Sequence, residues 1–318
     1  MKIYKNLKDF SALNPVVTIG TFDGVHLGHR KVIRRLQELA HKVKGETVIF
    51  TFYPHPRLVL NKEDNGLRLI NTLEEKKVLL EAAGIDHLVI YPFTKEFSQL
   101  SYVEFVEQIL VKQMGMKYLV VGYDHRFGHN REGKYEDLKV FADQLNFKIE
   151  RQDVLNMDAI NVSSTKIRKA IGEGDIKTAN KYLGYRFFIK GDVVDGQKLG
   201  SKIGFPTANI NPQESYKLVP KDGVYAVKVD VDDKRYLGML NIGVRPTVNN
   251  QLDKRSIEVH ILDFDKDIYY KNITIHFYQR IRNEQFFASI DELKAQLAKD
   301  KQAVVELLGQ LGEPDWSE

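Results

Sequence analysis

The sequence predicts an α/β chain in two parts: a parallel sheet covered by helices, then a six-stranded antiparallel barrel with a terminal helix. Three observations carry that prediction. The chain has 318 residues, more than one hydrophobic core usually serves, since single cores stop growing near roughly 250–300 residues. Up to about residue 185, short apolar runs alternate with amphipathic ones, which calls for a sheet of parallel strands with helices on both faces. Beyond that point strand-like runs follow one another with no helical stretch until the C-terminus, the pattern of a small antiparallel barrel.

In the first half the strands are "VVTIG" (16–20), "TVIFTF" (47–52), "HLVIYPF" (87–93), "YLVVGY" (118–123) and "FKIERQDV" (147–154), all rich in β-branched and aromatic residues. Between them, 28–43, 72–83, 101–115 and 135–145 repeat apolar residues at helical spacing, and "NTLEEK" and "SYVE" open helices with a capping residue followed by acids. Ligands of parallel sheets bind outside the carboxyl ends of the strands, so the loops after 20, 52, 93 and 122 are where a site belongs. The second half reads "FFIKGDVV", "FPTANI", "GVYAVKVDV", "RYLGMLNIG", "RSIEVHIL" and "NITIHFYQRI", separated by turn signals. A last helix opens at "SIDE", where Ser289 and Glu292 have capping-box spacing, and Ile290, Leu293, Leu297, Val304 and Leu308 are its expected barrel-facing side. The boundary falls within 172–186, giving domains 1–184 and 185–318.

Composition narrows the class. The chain is 43% hydrophobic and 28% charged, with no low-complexity tract, as expected of a folded globular protein. A net charge of +4 suits phosphorylated ligands but is too small and dispersed to call for nucleic acid. Without cysteine there are no disulfides, thiolate metal sites or cysteine nucleophile. The N-terminal stretch lacks a signal-peptide core, and no apolar run approaches the roughly 20 residues of a membrane span. A cytoplasmic protein with no membrane partner is therefore expected; the sequence sets no oligomeric state.

Two stretches of the first half carry chemistry together. "TIGTFDGVHLGHRKVI" leaves a strand through Gly20 and Gly24 and enters a helix near Leu27 or Gly28. His26 and His29, three apart, become neighbours on the first turn, and the free N–H groups of a helix start suit phosphate. Two imidazoles there can hydrogen-bond charge developing on phosphate oxygens. An isolated H-x-x-H is more often a pair of surface histidines, and a metal site lacks a third ligand nearby. "NVSSTKIRKA" (161–170) follows the last strand of the same sheet, so Ser163, Ser164 and Thr165 fall at another helix start on the same edge, with Arg168 one turn behind. Taken alone, that run is equally well a simple helix cap; as a pair, the two stretches favour an anion site.

In the second half, "GDVVDGQKLGSKIGFPTANINP" places Gly196, Gly200 and Gly204 ahead of a strand carrying Thr207 and Asn209. Glycine loops can fold over phosphates, although ordinary turns use the same residues. Alternate residues put Thr207 and Asn209 on one strand face, where hydroxyl and amide oxygens suit Mg²⁺. "RSIEVHILDFD" sets Glu258 and His260 between Ile257, Val259 and Ile261; a carboxylate there can deprotonate an alcohol, though many such residues are merely solvated.

"GTFDGVHLGH", "FYPHP", "VGYDHRFGHNREG" and "VSSTKIR", in that order, resemble the adenylyltransferase half of the bacterial bifunctional riboflavin kinase/FMN adenylyltransferases, or FAD synthetases. "GFPTAN", "KDGVYAV", "NIGVRPTV" and "EVHILDFD" are similar to their riboflavin kinase half, so the likeness covers almost the whole chain. It implies a Rossmann-like nucleotidyltransferase domain before a riboflavin kinase-like barrel, making FMN from riboflavin and FAD from FMN with ATP and Mg²⁺. In the first domain it implies that His26 and His29 stabilise the α-phosphate, and that Gly20, Thr21, Phe22, Gly28, Ser163, Ser164, Thr165 and Arg168 hold ATP. It places Asp124 at the flavin and nucleotide site and makes Phe127 a candidate flavin-stacking ring, while His55, between two prolines, either touches the same site or shapes its own loop. In the second it makes Glu258 the general base, Gly200, Gly204, Thr207 and Asn209 the ATP site, Thr207 and Asn209 the metal ligands, and Arg282 of "RIRNEQFF" a flavin contact. Two positions depart from the family pattern. Ser201 stands where Arg is usual, with Lys202 as a possible replacement charge, and Tyr270 stands where Gly is usual. Those departures keep an adenylyltransferase with a kinase-impaired barrel in view as an alternative. A flavin-responsive binding module, or another nucleotidyltransferase, accounts for fewer of the motifs.

Overall fold

The computed structural model describes residues 1–60, 66–123, 128, 133, 135–153, 155–157, 160–196, 199–244 and 255–309. It divides into two compact units, Met1–Ser164 and Thr165–Glu318.

The first unit opens with strand β1 (Lys2–Tyr4) and β2 (Val16–Ile19), followed by helix α1 (Leu27–Lys42), β3 (Thr47–Tyr53), α2 (Pro56–Leu60) and α3 (Leu73–Ala82). Next come β4 (His87–Pro92), then α4 (Tyr102–Glu104) running on in wider π-type turns over Phe105–Gln113, then β5 (Tyr118–Gly122), α5 (Tyr135–Gln144) and β6 (Lys148–Gln152). A small hairpin, β7 (Asn156–Met157) with β8 (Ile160–Asn161), closes the unit. All five expected strands form one parallel sheet in the order β1-β4-β3-β2-β5-β6. Its sixth strand, β1, has only three residues, none of them buried, too little pattern to stand out in the sequence. Chain order reverses between β2 and β5, so the loops after these two strands flank the switch point where such sheets bind ligands. Val17, Val48, Phe50, Leu110, Leu119 and Leu138, all fully or almost fully buried, anchor the core on one face of the sheet. The capping boxes expected at "NTLEEK" and "SYVE" are present at Thr72/Glu75 and Ser101/Glu104.

Helix α6 (Ser164–Glu173) begins at the division and is followed by α7 (Ile176–Leu183), β9 (Phe188–Val194) and a single helical turn, α8 (Leu199–Lys202). Strands β10 (Ala208–Pro212), β11 (Gly223–Val231), β12 (Lys234–Val244), β13 (Arg255–Ile261) and β14 (Asn272–Arg282) complete a closed barrel, β10-β13-β12-β11-β14-β9, before helix α9 (Ile290–Leu308). Tyr225, Val227, Val229, Leu240, Ile242, Val259, Ile275 and Phe277 have no exposure and fill the interior. Their alternates Ala226, Met239 and Tyr278 pack outward against Val304 and Leu308 of α9. Ser289 caps α9 as expected, accepting from the Glu292 amide at 3.2 Å. Ile290 is a correction: it is 59% exposed, because the first residue of the helix lies beyond the part that reaches the barrel. Helix α7 belongs to this unit through Asn180, whose amide donates to the Phe277 carbonyl and accepts from the Phe187 amide at 2.9 and 2.7 Å.

Candidate active sites

Sequence and sheet order converge on the turn after β2. Gly24 takes a φ of +91°, in the left-handed region that glycine tolerates, and lets the chain swing into α1. His26 is the N-cap, and its Nδ1 accepts from the His29 amide at 3.3 Å. A neutral ring that accepts at Nδ1 carries its proton on Nε2 and is a donor there. The two imidazoles stack with centroids 3.7 Å apart and an interplanar angle of 17°. At that spacing, simultaneous protonation is opposed by like-charge repulsion. Phe22 also packs on His29, centroid to centroid 4.9 Å and tilted by 44°. At Gly28 a Cβ would come within 3.0 Å of the His26 ring, so the absent side chain is what lets that ring lie over the helix start.

His29 is held well below the ordinary histidine pKa by burial first, then by the positive potentials of His26 and Lys76. Its Nδ1 is buried without a hydrogen-bond partner among the described residues, the condition of a polar atom that a ligand or water completes. The second stretch reaches the same edge: Ser164 donates its hydroxyl to the Asp23 carbonyl at 2.8 Å, and the Val162 carbonyl lies 3.7 Å from where a Gly28 Cβ would stand. Ser163 is half-buried beside it. Thr165 and Arg168 begin the second unit and meet each other, Arg168 Nη2 donating to Thr165 Oγ1 at 3.3 Å. Asp124 and Phe127, which follow β5 at the switch point, lie outside the described residues. His55 Nδ1 accepts from the Arg57 amide within its own loop at 3.2 Å.

Sequence reasoning missed three groups beneath this turn. Asp23, 2% exposed, accepts from the amides of Ile70 and Asn71 at 2.9 and 3.3 Å. Lys76, 6% exposed, donates to the Thr21 carbonyl at 2.6 Å, and burial presses its pKa down to about 8 against the pull of Asp23. Asn71 is also buried. Only Lys76 left a readable signal, since with Leu79 and Leu80 it occupies the buried stripe of α3, an unusual place for a charge.

On the barrel, Ile257, Val259 and Ile261 turn inward, which sends Ser256, Glu258 and His260 to the outer face. Register then assembles the second cluster: Glu258 stands opposite Asn209 on β10 and Asn241 on β12. Thr207 Oγ1 donates to Glu258 Oε2 at 3.4 Å, and Ser256 Oγ donates to Oε1 at 3.3 Å. Asn241 bonds Glu284 at 3.2 Å, a second carboxylate the sequence did not announce. The glycine loop lies over this face. Gly196 sits directly on the Asn209 amide, and Gly200 on the Phe205 carbonyl, leaving no space for a side chain at either. Gly204 has a φ of +85°. Arg282 is held elsewhere than at this cluster: its guanidinium grips Asp300 of α9, Nη2 to Oδ2 at 2.7 Å and Nε to Oδ1 at 3.0 Å. Among the described residues no group of three or more His, Cys, Asp or Glu side chains has the spacing of a metal site.

Fold and sites together define a two-unit transferase. Two family models divide the chain, one described as FAD synthetase over residues 10–166 and one as Riboflavin kinase over 183–308. Proteins named bifunctional riboflavin kinase/FMN adenylyltransferase are similar along nearly the whole length. The one from Listeria monocytogenes serovar 1/2a is 40% identical over 92% of each chain, and that of Bacillus subtilis strain 168 is 39% identical over 93% of each. The one from Escherichia coli K12 is 39% identical over 92% of this chain and 93% of its own. A crystal structure described as a macrolide-efflux protein from Streptococcus pneumoniae is 32% identical, with a TM-score of 0.86 over 95% of this chain and 97% of that one. The fold is what it shares with this chain, in which no described helix is long and apolar enough to cross a membrane. The chain belongs to the bifunctional riboflavin kinase/FMN adenylyltransferase family.

Proposed function

We propose that the chain makes FAD in two ATP-dependent steps, phosphorylating riboflavin to FMN in residues 185–318 and transferring an adenylyl group from ATP to FMN in residues 1–184. The observation that carries this reading is the pairing of both family matches with two separate polar clusters, one at each expected place. Adenylyl transfer needs no enzyme nucleophile. A phosphate oxygen of FMN attacks the α-phosphorus of ATP, the bond to the β-phosphate oxygen breaks, and pyrophosphate leaves with the electron pair. Positioning and electrostatics supply the catalysis. His26 and His29 donate hydrogen bonds to the α-phosphate as its charge rises. Gly20, Thr21, Phe22 and Gly28 form the nucleotide's wall, and Ser163, Ser164, Thr165 and Arg168 take its remaining phosphates. Asp124 and Phe127 take the flavin.

In the barrel, Glu258 removes the proton of the ribityl 5′-hydroxyl as that oxygen attacks the γ-phosphorus of ATP, and ADP leaves. Its carboxylate is half-buried and oriented by Thr207 and Ser256, which suits a base that must point at one hydroxyl. Gly200 and Gly204 fold the loop over the phosphates. Arg282 serves the flavin side by fixing the segment that follows β14. The hydroxyl of Thr207, the amide oxygen of Asn209 and the neighbouring carboxylate are hard oxygen donors, a set that fits Mg²⁺ held by few protein ligands and the substrate's phosphates. When bound, such a cation would neutralise charge on the triphosphate. The partners are flavins and ATP, and the compartment is the cytoplasm.

The test is a product assay on the purified full chain with ATP and Mg²⁺, riboflavin in one tube and FMN in the other, the flavins being separated by chromatography. FAD in both tubes is expected. FAD from FMN alone would leave an adenylyltransferase with an impaired kinase, and none in either would overturn the reading.

A further inference from the structure

Beneath the turn that presents the histidine pair lies a charge that phosphate binding on the surface does not account for. Helix α3 is fixed at its start by the reciprocal bonds of Thr72 and Glu75, which set the direction of the next residue, Lys76. Its ammonium is buried and ends on the Thr21 carbonyl at 2.6 Å. The same turn is held a second time where Asp23 receives the Ile70 and Asn71 amides. Residues 70–76 therefore clamp residues 21–23 through both ends of the turn.

An ammonium buried at a helix–loop contact is costly, and an apolar side chain of equal length would fill the same space at less expense. The cost is explained if the charge acts on the site above it. We propose that Lys76 is a positioning residue for adenylyl transfer, fixing the Gly20–Asp23 turn beside His29 and placing a buried positive charge behind the edge where the nucleotide phosphates bind. The inference rests on the adenylyl-transfer reading of that edge.

The charged and titratable groups around Lys76 define what pH does. Asp23 faces it from the turn, and His29 faces it from α1 with His26 stacked behind. On its own helix the Glu75 carboxylate is turned back to the Thr72 amide, while Glu74 and Lys77 pair at the surface. Burial lowers the Lys76 pKa to about 8, so raising the pH through that value discharges it. Its charge is also one of the causes that keep His29 neutral, so its removal makes His29 easier to protonate.

The experiment measures FMN-to-FAD conversion by the full chain from about pH 5 to 9.5 for the parent, Lys76→Met and Lys76→Arg, with melting temperatures. Lys76→Met is expected to lower kcat by roughly 10–100-fold, the range below loss of a direct oxyanion donor, with KM for FMN little changed. The parent's fall in rate near pH 8 disappears in that variant and its acid limb moves to higher pH, while its melting temperature falls only modestly, because Asp23 loses the cation that faces it but keeps its two amide bonds. Lys76→Arg, which keeps a charge that does not titrate, recovers part of the rate and lacks the alkaline limb. A Lys76→Met protein with the parental kcat and pH profile overturns the inference. So does one whose rate and melting temperature fall together while the acid limb stays in place, since that is a merely structural role. A parent that makes no FAD from FMN overturns the underlying reading instead.

Discussion

Replacing Arg282 by Met separates two roles that its position superposes. Its side chain is 16% exposed and that of its partner Asp300 only 1%, with three contacts of 2.7, 3.0 and 3.1 Å between them. Gln296 adds one more donor to Asp300 at 2.9 Å. Taking away the cation strands a buried carboxylate whose remaining side-chain partner among the described residues is that amide. Breaking a buried pair in this way costs about 3–5 kcal/mol, which in a unit of this size lowers the melting temperature by roughly 10 °C. The pair itself is weak in net terms, because both charges were desolvated to make it. Arg282→Met combined with Asp300→Leu should therefore recover most of the loss, to within about 1–2 kcal/mol of the parent. Calorimetry on the parent, both single variants and the double variant reads the cycle, and riboflavin titration on the same proteins reads the flavin role. An anchoring role restores flavin affinity in the double variant; a direct contact leaves it weakened roughly tenfold or more. If Arg282→Met melts within a degree or two of the parent, or the double variant is no better than the single, the ion-pair argument is wrong.

Three further outcomes are expected. Glu258→Gln should abolish riboflavin phosphorylation by about 10²–10⁴-fold while FMN adenylylation in the same preparation keeps its rate. His29→Ala should cut adenylyl transfer by about 10²–10³-fold with FMN affinity held; the parent's acid limb should also lie below the ordinary histidine pKa of 6.5, since burial favours the neutral ring. Asp230 offers a stability test. Burial alone would raise its carboxyl, but hydrogen bonds from Arg235 and His276, at 2.5 and 2.8 Å, outweigh that and hold it far below the usual range. A depressed carboxylate stabilises the fold above its unfolded pKa of about 3.9 and loses that contribution as pH falls toward the folded value. Asp230→Asn should thus lower the melting temperature at neutral pH and flatten its decline below about pH 4.

Periodicity made most of this molecule legible. Most of the sheet and barrel strands announce themselves because they carry four or more residues whose burial alternates or runs continuously, whereas β6, with none of its five residues buried, and β10, with one, are legible through residue type and the turn signals around them. β1 does not, being three mostly exposed residues whose existence depends on the partner strand β4. The candidate sites are legible where several unusual residues cluster in sequence, as in His26, Gly28 and His29; Thr207 and Asn209 are expected on one strand, but β10 begins at Ala208 and Thr207 meets Glu258 from just before it. Asp23, Lys76 and Glu284 are single polar residues brought to their sites by tertiary packing, and no local pattern marks the first and last. Arg282 shows the converse limit. Its place in the chain suggested a ligand contact, and only the arrival of Asp300 from a helix 18 residues away reveals what its charge is paired with.

The two departures from the family pattern bear on whether the barrel keeps its chemistry, and both are accommodated in ways that leave the Glu258 cluster intact. Tyr270 adopts a φ of +62°, so a side chain occupies the left-handed conformation that glycine takes freely, at a backbone cost of about 1–2 kcal/mol. The ring is 75% exposed, turned away from the strand rather than into it. Its hydroxyl donates to Asp195 at 2.7 Å and its amide to the Val193 carbonyl at 2.9 Å, so it ties down the residue from which the glycine loop departs. Ser201 lies in α8 with its side chain in solvent, and Lys202, next to it and equally exposed, keeps a positive charge on the loop. Tyr at this position therefore bears on how firmly the loop is held, while Glu258 and Asn209, the residues proposed above for the phosphorylation of an alcohol, stay in register on adjoining strands with Thr207 beside them.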